Sequence, residues 1–257
     1  MSFDETSYQK ISAGGRTFRH LFGPVNSRRL GVSLGVDMVP FKTCTLDCVY
    51  CECGATNRLS SDIKPWIPAA EIIEELDAYL SLDPHIDVIT FAGSGEPTLN
   101  SDLPKVIAHV KDRWPSFKTV LITNSTLLFN ETVRDAAIVC DYVLPSLDAV
   151  SEDAFVRING PVKSISAAMV VDGLISFAQK YHGHLWVEVF IIEGVNDTDE
   201  ELSAFKKILT EINPARVQLN SLDRPGTCAW VKPASRNRLE DIASFLSPLN
   251  VEIIARK

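Results

Sequence analysis

Long apolar runs are missing from this chain of 257 residues. None reaches the ~18 consecutive apolar residues of a membrane-spanning helix, which excludes a helical membrane protein. An excess of basic residues is missing too. Lys and Arg number 25 against 33 Asp and Glu, a formal charge of -8. General attraction to nucleic acid or to an anionic membrane is therefore excluded, and only a local patch could supply it. The opening Met1-Ser2-Phe3-Asp4-Glu5 is acidic and polar. It lacks the basic and apolar regions of a secretory leader, and it predicts a cytoplasmic chain. Low-complexity tracts, linkers and internal repeats are absent, which argues for one domain. Cysteine is scarce, with six in all, and a chain of this length needs no disulfide staples. Hydrophobic residues are not scarce: at 46% they support a sizeable core.

The few cysteines are unevenly placed. Cys44, Cys48, Cys51 and Cys53 crowd into one loop, while Cys140 and Cys228 stand far away. This clustering favours metal binding in a reducing compartment. The spacing C-x3-C-x2-C is one thiolate short of the usual four-cysteine iron–sulfur site. Three ligands would leave one iron of a cubane open to a small molecule. Structural zinc usually takes two distant C-x2-C arms, and only the Cys48/Cys51 arm exists. A compact zinc site would need Cys53 as the fourth ligand. A redox C-x-x-C pair leaves Cys44 without a task. With the spacing complete at Cys51, Cys53 is read as a bystander. Cys140 reads as core and Cys228 as loop.

From about residue 83 onward, short apolar runs alternate with amphipathic stretches. Strands are predicted at 34–39, 86–91, 118–122, 142–145, 185–192, 217–220 and 251–254. Their near-continuous apolar character suits strands buried on both faces. Helical spacing links Ile72, Ile73, Leu76, Tyr79 and Leu80, then Leu202, Phe205, Leu209 and Ile212, then Leu239, Ile242, Phe245 and Leu246. Right-handed β-α units of this length give an α/β fold with a parallel sheet, either open or curled into a barrel. About seven strands fall one short of a closed eight-stranded barrel. Residues 1–33, punctuated by Gly and Pro, read as an N-terminal extension in loop conformation, ahead of a barrel domain at 34–257.

Beyond these readings, C-x3-C-x2-C with Tyr50 before its last cysteine, following an early strand, resembles the radical S-adenosylmethionine (radical SAM) superfamily. The resemblance implies a partial parallel β/α barrel of six strands or so. It also implies a [4Fe-4S] cluster on Cys44, Cys48 and Cys51. The amino-acid end of SAM chelates the open iron in that family. One electron then cleaves the sulfonium to a 5′-deoxyadenosyl radical that abstracts hydrogen from the substrate. Ala92-Gly93-Ser94-Gly95-Glu96-Pro97 is similar to the family's G-G-E-P turn, with Ser94 in place of its first glycine. By that resemblance Ser94, Gly95 and Glu96 hold the SAM amine. Taken alone, the segment is an ordinary strand-to-helix turn. Thr123-Asn124-Ser125 resembles the T-N-G run at the SAM ribose, and Asn124 or Ser125 is equally a helix cap. Tyr50 takes the aromatic position beside adenine, or is simply core. Asn196 takes a position near the adenosyl group, although Asn-Asp is also common turn chemistry.

The fullest likeness is to the branch related to wyosine-forming tRNA enzymes, through Phe22-Gly23-Pro24-Val25-Asn26-Ser27-Arg28-Arg29-Leu30-Gly31, Lys42-Thr43-Cys44, Val217-Gln218-Leu219-Asn220 and Arg224-Pro225. Wyosine synthases carry further cysteines upstream, and none precedes Cys44 here. With the acidic charge, this disfavours nucleic acid as a partner. The expected substrate is a nucleoside, a cofactor or another small molecule. A glycyl-radical enzyme to be activated is the alternative, and a non-catalytic zinc- or cluster-binding module is the reading outside this class. Flavodoxin or ferredoxin is the expected electron donor. Arg28 and Arg29 suit a carboxylate or phosphate, and with Gln218, Asn220 and Arg224 they are candidate substrate contacts. Structural bracing is the other reading of all five. Lys42 could tune the thiolates, although a solvated lysine is the plainer expectation. His182 and His184 read as a strand start.

Overall fold

The computed structural model describes residues 10–254. The chain opens with β1 (Lys10–Ala13), β2 (Arg16–Ser27) and β3 (Gly31–Val36), followed by the two-residue strands β4 (Thr43–Cys44) and β5 (Arg58–Leu59). Helix and strand then alternate: α1 (Ala69–Leu80), β6 (Val88–Phe91), α2 (Leu103–Arg113), β7 (Lys118–Thr123), α3 (Glu131–Ala137) and β8 (Tyr142–Pro145). Two helices follow, α4 (Glu152–Asn159) and α5 (Ala167–Lys180). Then come β9 (His184–Phe190), α6 (Asp199–Ile212), β10 (Arg216–Asn220), α7 (Arg236–Phe245) and β11 (Val251–Ile253).

Nine strands form one sheet in the order β1-β2-β3-β6-β7-β8-β9-β10-β11. From β3 to β11 every pairing is parallel, whereas β1 and β2 run antiparallel along its β3 edge. Parallel neighbours joined through helices give the β/α barrel type of architecture. Among the described residues β1 and β11 do not pair, so the barrel is partial. Arg28 reaches across the gap: its Nη1 donates to the Ile254 carbonyl and its Nη2 to Asp223 at 2.6 Å.

The strands alternate in what they bury, as a period of two requires. Val36, Phe91, Leu121, Val143, Val187, Val217 and Leu219 join the helices in the main core. Val88, Val120 and Leu144 point the other way and pack with Leu30, Ile122, Tyr142 and Trp186. On the outside, α5 buries Leu174 and Phe177 completely, each contributing about 1.5–3 kcal/mol by burial. Serine or threonine caps α4, α5, α6 and α7, satisfying amides that begin each helix.

Two sequence expectations change. Within residues 1–33, the stretch read as loop contains β1 and the twelve-residue β2, paired into the same sheet as the barrel strands. Gly23-Pro24 marks an irregularity in the β2/β3 register between Phe22 and Val25, not a loop. Pro and a positive-φ glycine (Gly23, φ 94) are compatible with a strand at a bulge. The first parallel strand begins at Gly31, three residues ahead of the expected 34.

Candidate cofactor site at the strand ends

The cysteine loop is pinned from three sides, two of them by segments remote in sequence. From α4, the Asn159 and Ile158 carbonyls accept from the Asp47 and Val49 amides, both at 2.9 Å. From the loop after β10, the Cys228 amide donates to the Val49 carbonyl at 2.9 Å, and Thr227 Oγ1 to the Cys48 and Cys51 carbonyls. The β4/β5 pairing closes its base.

Each of the three sulfurs carries one side-chain N–H donor, and the donors come from three different places. Asn124 Nδ2, after β7, points to Cys44 Sγ at 3.4 Å. Asn159 Nδ2, at the end of α4, points to Cys48 Sγ at 3.3 Å. Lys42 Nζ points to Cys51 Sγ at 3.1 Å. Lys42 is only 2% exposed, so the solvated lysine expected from sequence is corrected: a buried ammonium needs an anionic partner. The thiols feel opposite fields. Burial, then the Glu96 carboxylate, pushes Cys44 up to about 11. Burial, then Asp148, holds Cys48 well above its ordinary range. A hydrogen bond from the Cys53 thiol, with the Lys42 charge, draws Cys51 down.

Soft thiolates with N–H donors on their sulfurs are the donor set of an iron–sulfur centre. Cys44, Cys48 and Cys51 would hold the cluster, and the surroundings fit one. Among the described residues, no group of three or more His, Cys, Asp or Glu side chains is gathered around a single-ion position. Cys53 lies beside Cys51, as its hydrogen-bonding partner.

The turn after β6 packs directly on this loop. Ser94 Oγ accepts from the Lys42 amide at 3.2 Å, and the Glu96 amide donates to the Thr43 carbonyl at 3.1 Å. Gly95 allows the approach, since a Cβ there would lie 2.0 Å from the Thr43 oxygen. Glu96 is buried, and its carboxylate accepts four hydrogen bonds: from the Thr98 amide and hydroxyl, the Thr123 hydroxyl and the Asn124 amide. A buried carboxylate requires such partners. These bonds tie the ends of β6 and β7 together, three on Oε1 and one on Oε2, which leaves acceptor capacity on Oε2.

Asn124 is likewise committed. Its oxygen accepts from the Thr126 amide and hydroxyl, and its nitrogen serves Thr45 and Cys44. Asn196 is completely buried. It accepts from the Ile192 amide and donates to the Asp148 and Phe190 carbonyls. These bonds shape the turn after β9. Tyr50 stacks on Phe190, with ring centroids 3.9 Å apart, and its hydroxyl donates to Asp148.

Four of the five candidate substrate residues, Arg28, Arg29, Asn220 and Arg224, line one cavity, and the fifth, Gln218, is completely buried beside Arg29. Arg29 Nη1 reaches Glu188 at 2.5 Å and Gln218 at 2.9 Å. Arg28 pairs with Asp223, and Arg224 with Glu52 at 2.9 Å. Asn220 uses its side-chain oxygen on the Ser221 amide. Residues that sequence reasoning missed are Asn159, Asp148 and Asp37. Burial raises Asp148 to about 6 despite donors from Tyr50, Asn159 and Phe190. Asp37 accepts from the Ser94 amide at 3.0 Å, and burial raises it to about 7. The run Ile158-Asn159-Gly160-Pro161 did carry a readable helix-stop signal. Nothing local marked Asp37 or Asp148.

Comparison with known proteins agrees with this geometry. The family model described as Radical SAM superfamily matches residues 38–205. A protein of Brachyspira hyodysenteriae named GTPase Obg is 42% identical over 88% of this chain, which spans only about a third (33%) of that relative. This chain holds no G-x-x-x-x-G-K-S/T run for a nucleotide phosphate. A UPF0026 protein of Synechocystis is 36% identical, covering 81% of this chain and 77% of its own length. Among solved structures, a radical SAM methyltransferase from Sphaerobacter thermophilus superposes with a TM-score of 0.68 over 92% of this chain and 69% of its own, at 15% identity. That last likeness speaks for the fold.

Proposed function

The chain belongs to the radical SAM superfamily, and from that premise we propose an enzyme that abstracts hydrogen from a small-molecule substrate at a single cluster. The family's cofactors are a [4Fe-4S] cluster and SAM. When bound, they supply reductive cleavage of the sulfonium to a 5′-deoxyadenosyl radical. The chain's own residues position and shield. Cys44, Cys48 and Cys51 hold the cluster, with Lys42, Asn124 and Asn159 donating to their sulfurs. Glu96 clamps the turn around Ser94 and Gly95 against the β7 exit, so that backbone groups there can meet the amino-acid end of SAM. Tyr50, stacked and tethered, offers a fixed aromatic wall. An electron donor such as flavodoxin or ferredoxin completes the reading. Kinship with the wyosine-forming branch rests on the motifs around Arg28, Lys42 and Gln218, and its tRNA substrate is not carried over.

One observation carries the proposal: three sulfurs in one short loop, each met by its own N–H donor, beside the strand-end turns of a partial barrel. Anaerobic reconstitution should give about four irons and four sulfides per chain, as a [4Fe-4S] centre requires. Loss is expected in Cys44→Ala, Cys48→Ala or Cys51→Ala but not in Cys53→Ala. With SAM and dithionite the protein should release 5′-deoxyadenosine. One tightly bound zinc per chain, lost in Cys53→Ala, with no SAM cleavage, would establish the structural zinc module instead.

A further inference from the structure

Two cavities meet at the open end of the barrel. One, of about 250 Å³, lies against the cysteine loop, with Tyr50, Cys51, Glu188 and Phe190 in its wall. The other, of about 480 Å³, descends into the barrel along Ser33, Thr90 and Ile122 to Arg29. Arg28, Asn220, Asp223 and Arg224 line both, so a molecule in the deeper space can reach toward the cofactor side. A cavity of this size suits a small ligand.

Arg29 is the polar group best prepared for such a ligand. Its Nη1 is held by Glu188 and Gln218. Gln218 is completely buried and is itself held by Glu252 at 3.2 Å. Arg29 Nε and Nη2 have no partner among the described residues. Both atoms keep access to solvent. A guanidinium oriented along one edge and open along the other is a preformed fork for an oxyanion. The wall also limits the charge it will accept. Glu188 stands 2.5 Å from Arg29, and Asp223 stands 2.6 Å from Arg28. A second anionic group elsewhere on the ligand would lie beside one of these carboxylates and be repelled.

We propose that the deeper cavity binds a small molecule through a single anionic group, carboxylate or phosphate, on the open edge of Arg29. The reacting carbon of that molecule then faces the cysteine loop. This inference rests on the radical SAM reading and adds the substrate class to it. Nucleic acid, with a charge at every phosphate, does not fit this wall.

The test uses reconstituted protein with SAM. Thermal melting is followed against acetate and against inorganic phosphate, at constant ionic strength made up with chloride. A ligand that binds the folded state raises the melting temperature saturably. One of the two anions should do so, and which one does assigns carboxylate or phosphate. Arg29→Gln should weaken the apparent affinity about 10- to 100-fold, the worth of a charge-assisted hydrogen bond. Arg29→Lys keeps the charge without the fork and should show an intermediate loss, which preserves the test should the glutamine variant not fold. Arg157→Gln, an exposed change over the Trp230 ring, should leave the response unchanged. No saturable response to either anion, or an unaltered response in Arg29→Gln, overturns the inference. SAM cleavage is measured on the same samples. Normal cleavage without anion binding refutes only the substrate class, whereas absent cluster and cleavage refute the function itself.

Discussion

Replacing Asp37 with asparagine should stabilise the protein at neutral and alkaline pH and do little at acid pH. Asp37 closes the end of β3, and its Oδ1 accepts the Ser94 amide at 3.0 Å. The fit is close, since a Cβ on Gly93 would lie 1.7 Å from that oxygen. Asparagine presents the same acceptor in the same volume, so the turn that packs on the cysteine loop keeps its anchor. Ionisation is what changes. Burial raises the Asp37 carboxyl to about 7, against about 3.9 for an unperturbed aspartate. The folded state therefore binds the proton more tightly than the unfolded state. Between about pH 4 and pH 7 it carries more bound protons, so stability falls as pH rises through that window.

Above pH 7 the cost of holding the charged form is complete. At 1.36 kcal/mol per unit it reaches about 4 kcal/mol as an upper bound. Solvent entering the cavity beside Asp37 screens the charged form, so about 2–4 kcal/mol is expected. For a chain of this size that corresponds to about 4–16 °C in melting temperature. Differential scanning calorimetry of wild type and Asp37→Asn at pH 5 and pH 8 reads it directly. The variant should gain markedly more at pH 8 than at pH 5. An equal difference at both values, or a loss at pH 8, would show that the carboxyl is not held protonated by its surroundings.

Two other perturbations act on the sulfur environment and its packing. Asn159→Ala or Lys42→Met removes one N–H donor from a cluster sulfur, and hydrogen bonds to sulfur raise cluster potentials. The midpoint potential in an EPR-monitored redox titration should move to more negative values, and an unchanged potential would assign both residues a purely structural part. Gly95→Ala places a Cβ 2.0 Å from the Thr43 carbonyl oxygen and must separate the two loops. Iron content after reconstitution and SAM affinity should both fall, and wild-type values for both would show that the contact is dispensable.

The parallel part of the fold was legible because its signal is local. Strands 142–145, 217–220 and 118–122 were placed within a residue of β8, β10 and β7, where apolar runs are short and bounded by turn residues. The strands β1 and β2 were not legible. Their burial is irregular, with Phe18 and Leu21 buried but most of the remaining β2 positions exposed, so no clean alternation marks them. Gly23-Pro24 then reads as punctuation, although a bulge tolerates both. What makes β2 a strand is its partner β3, and pairing is not a property of the segment alone.

The site was legible as positions and not as tasks. A motif says that a glutamate follows a glycine at a strand end, and Glu96 is there. It does not say where the carboxylate points. Inside a folded chain that is decided by the count of buried amides and hydroxyls that need an acceptor. Thr98, Thr123 and Asn124 all present donors to Glu96, so its carboxylate is drawn inward and braces two strands. The same demand takes the Asn196 amide for three backbone groups. It also gives Tyr50 to Asp148 and Phe190. The groups that touch the sulfurs include Asn159, a helix-end residue 111 positions from its cysteine, and no spacing rule reaches that far.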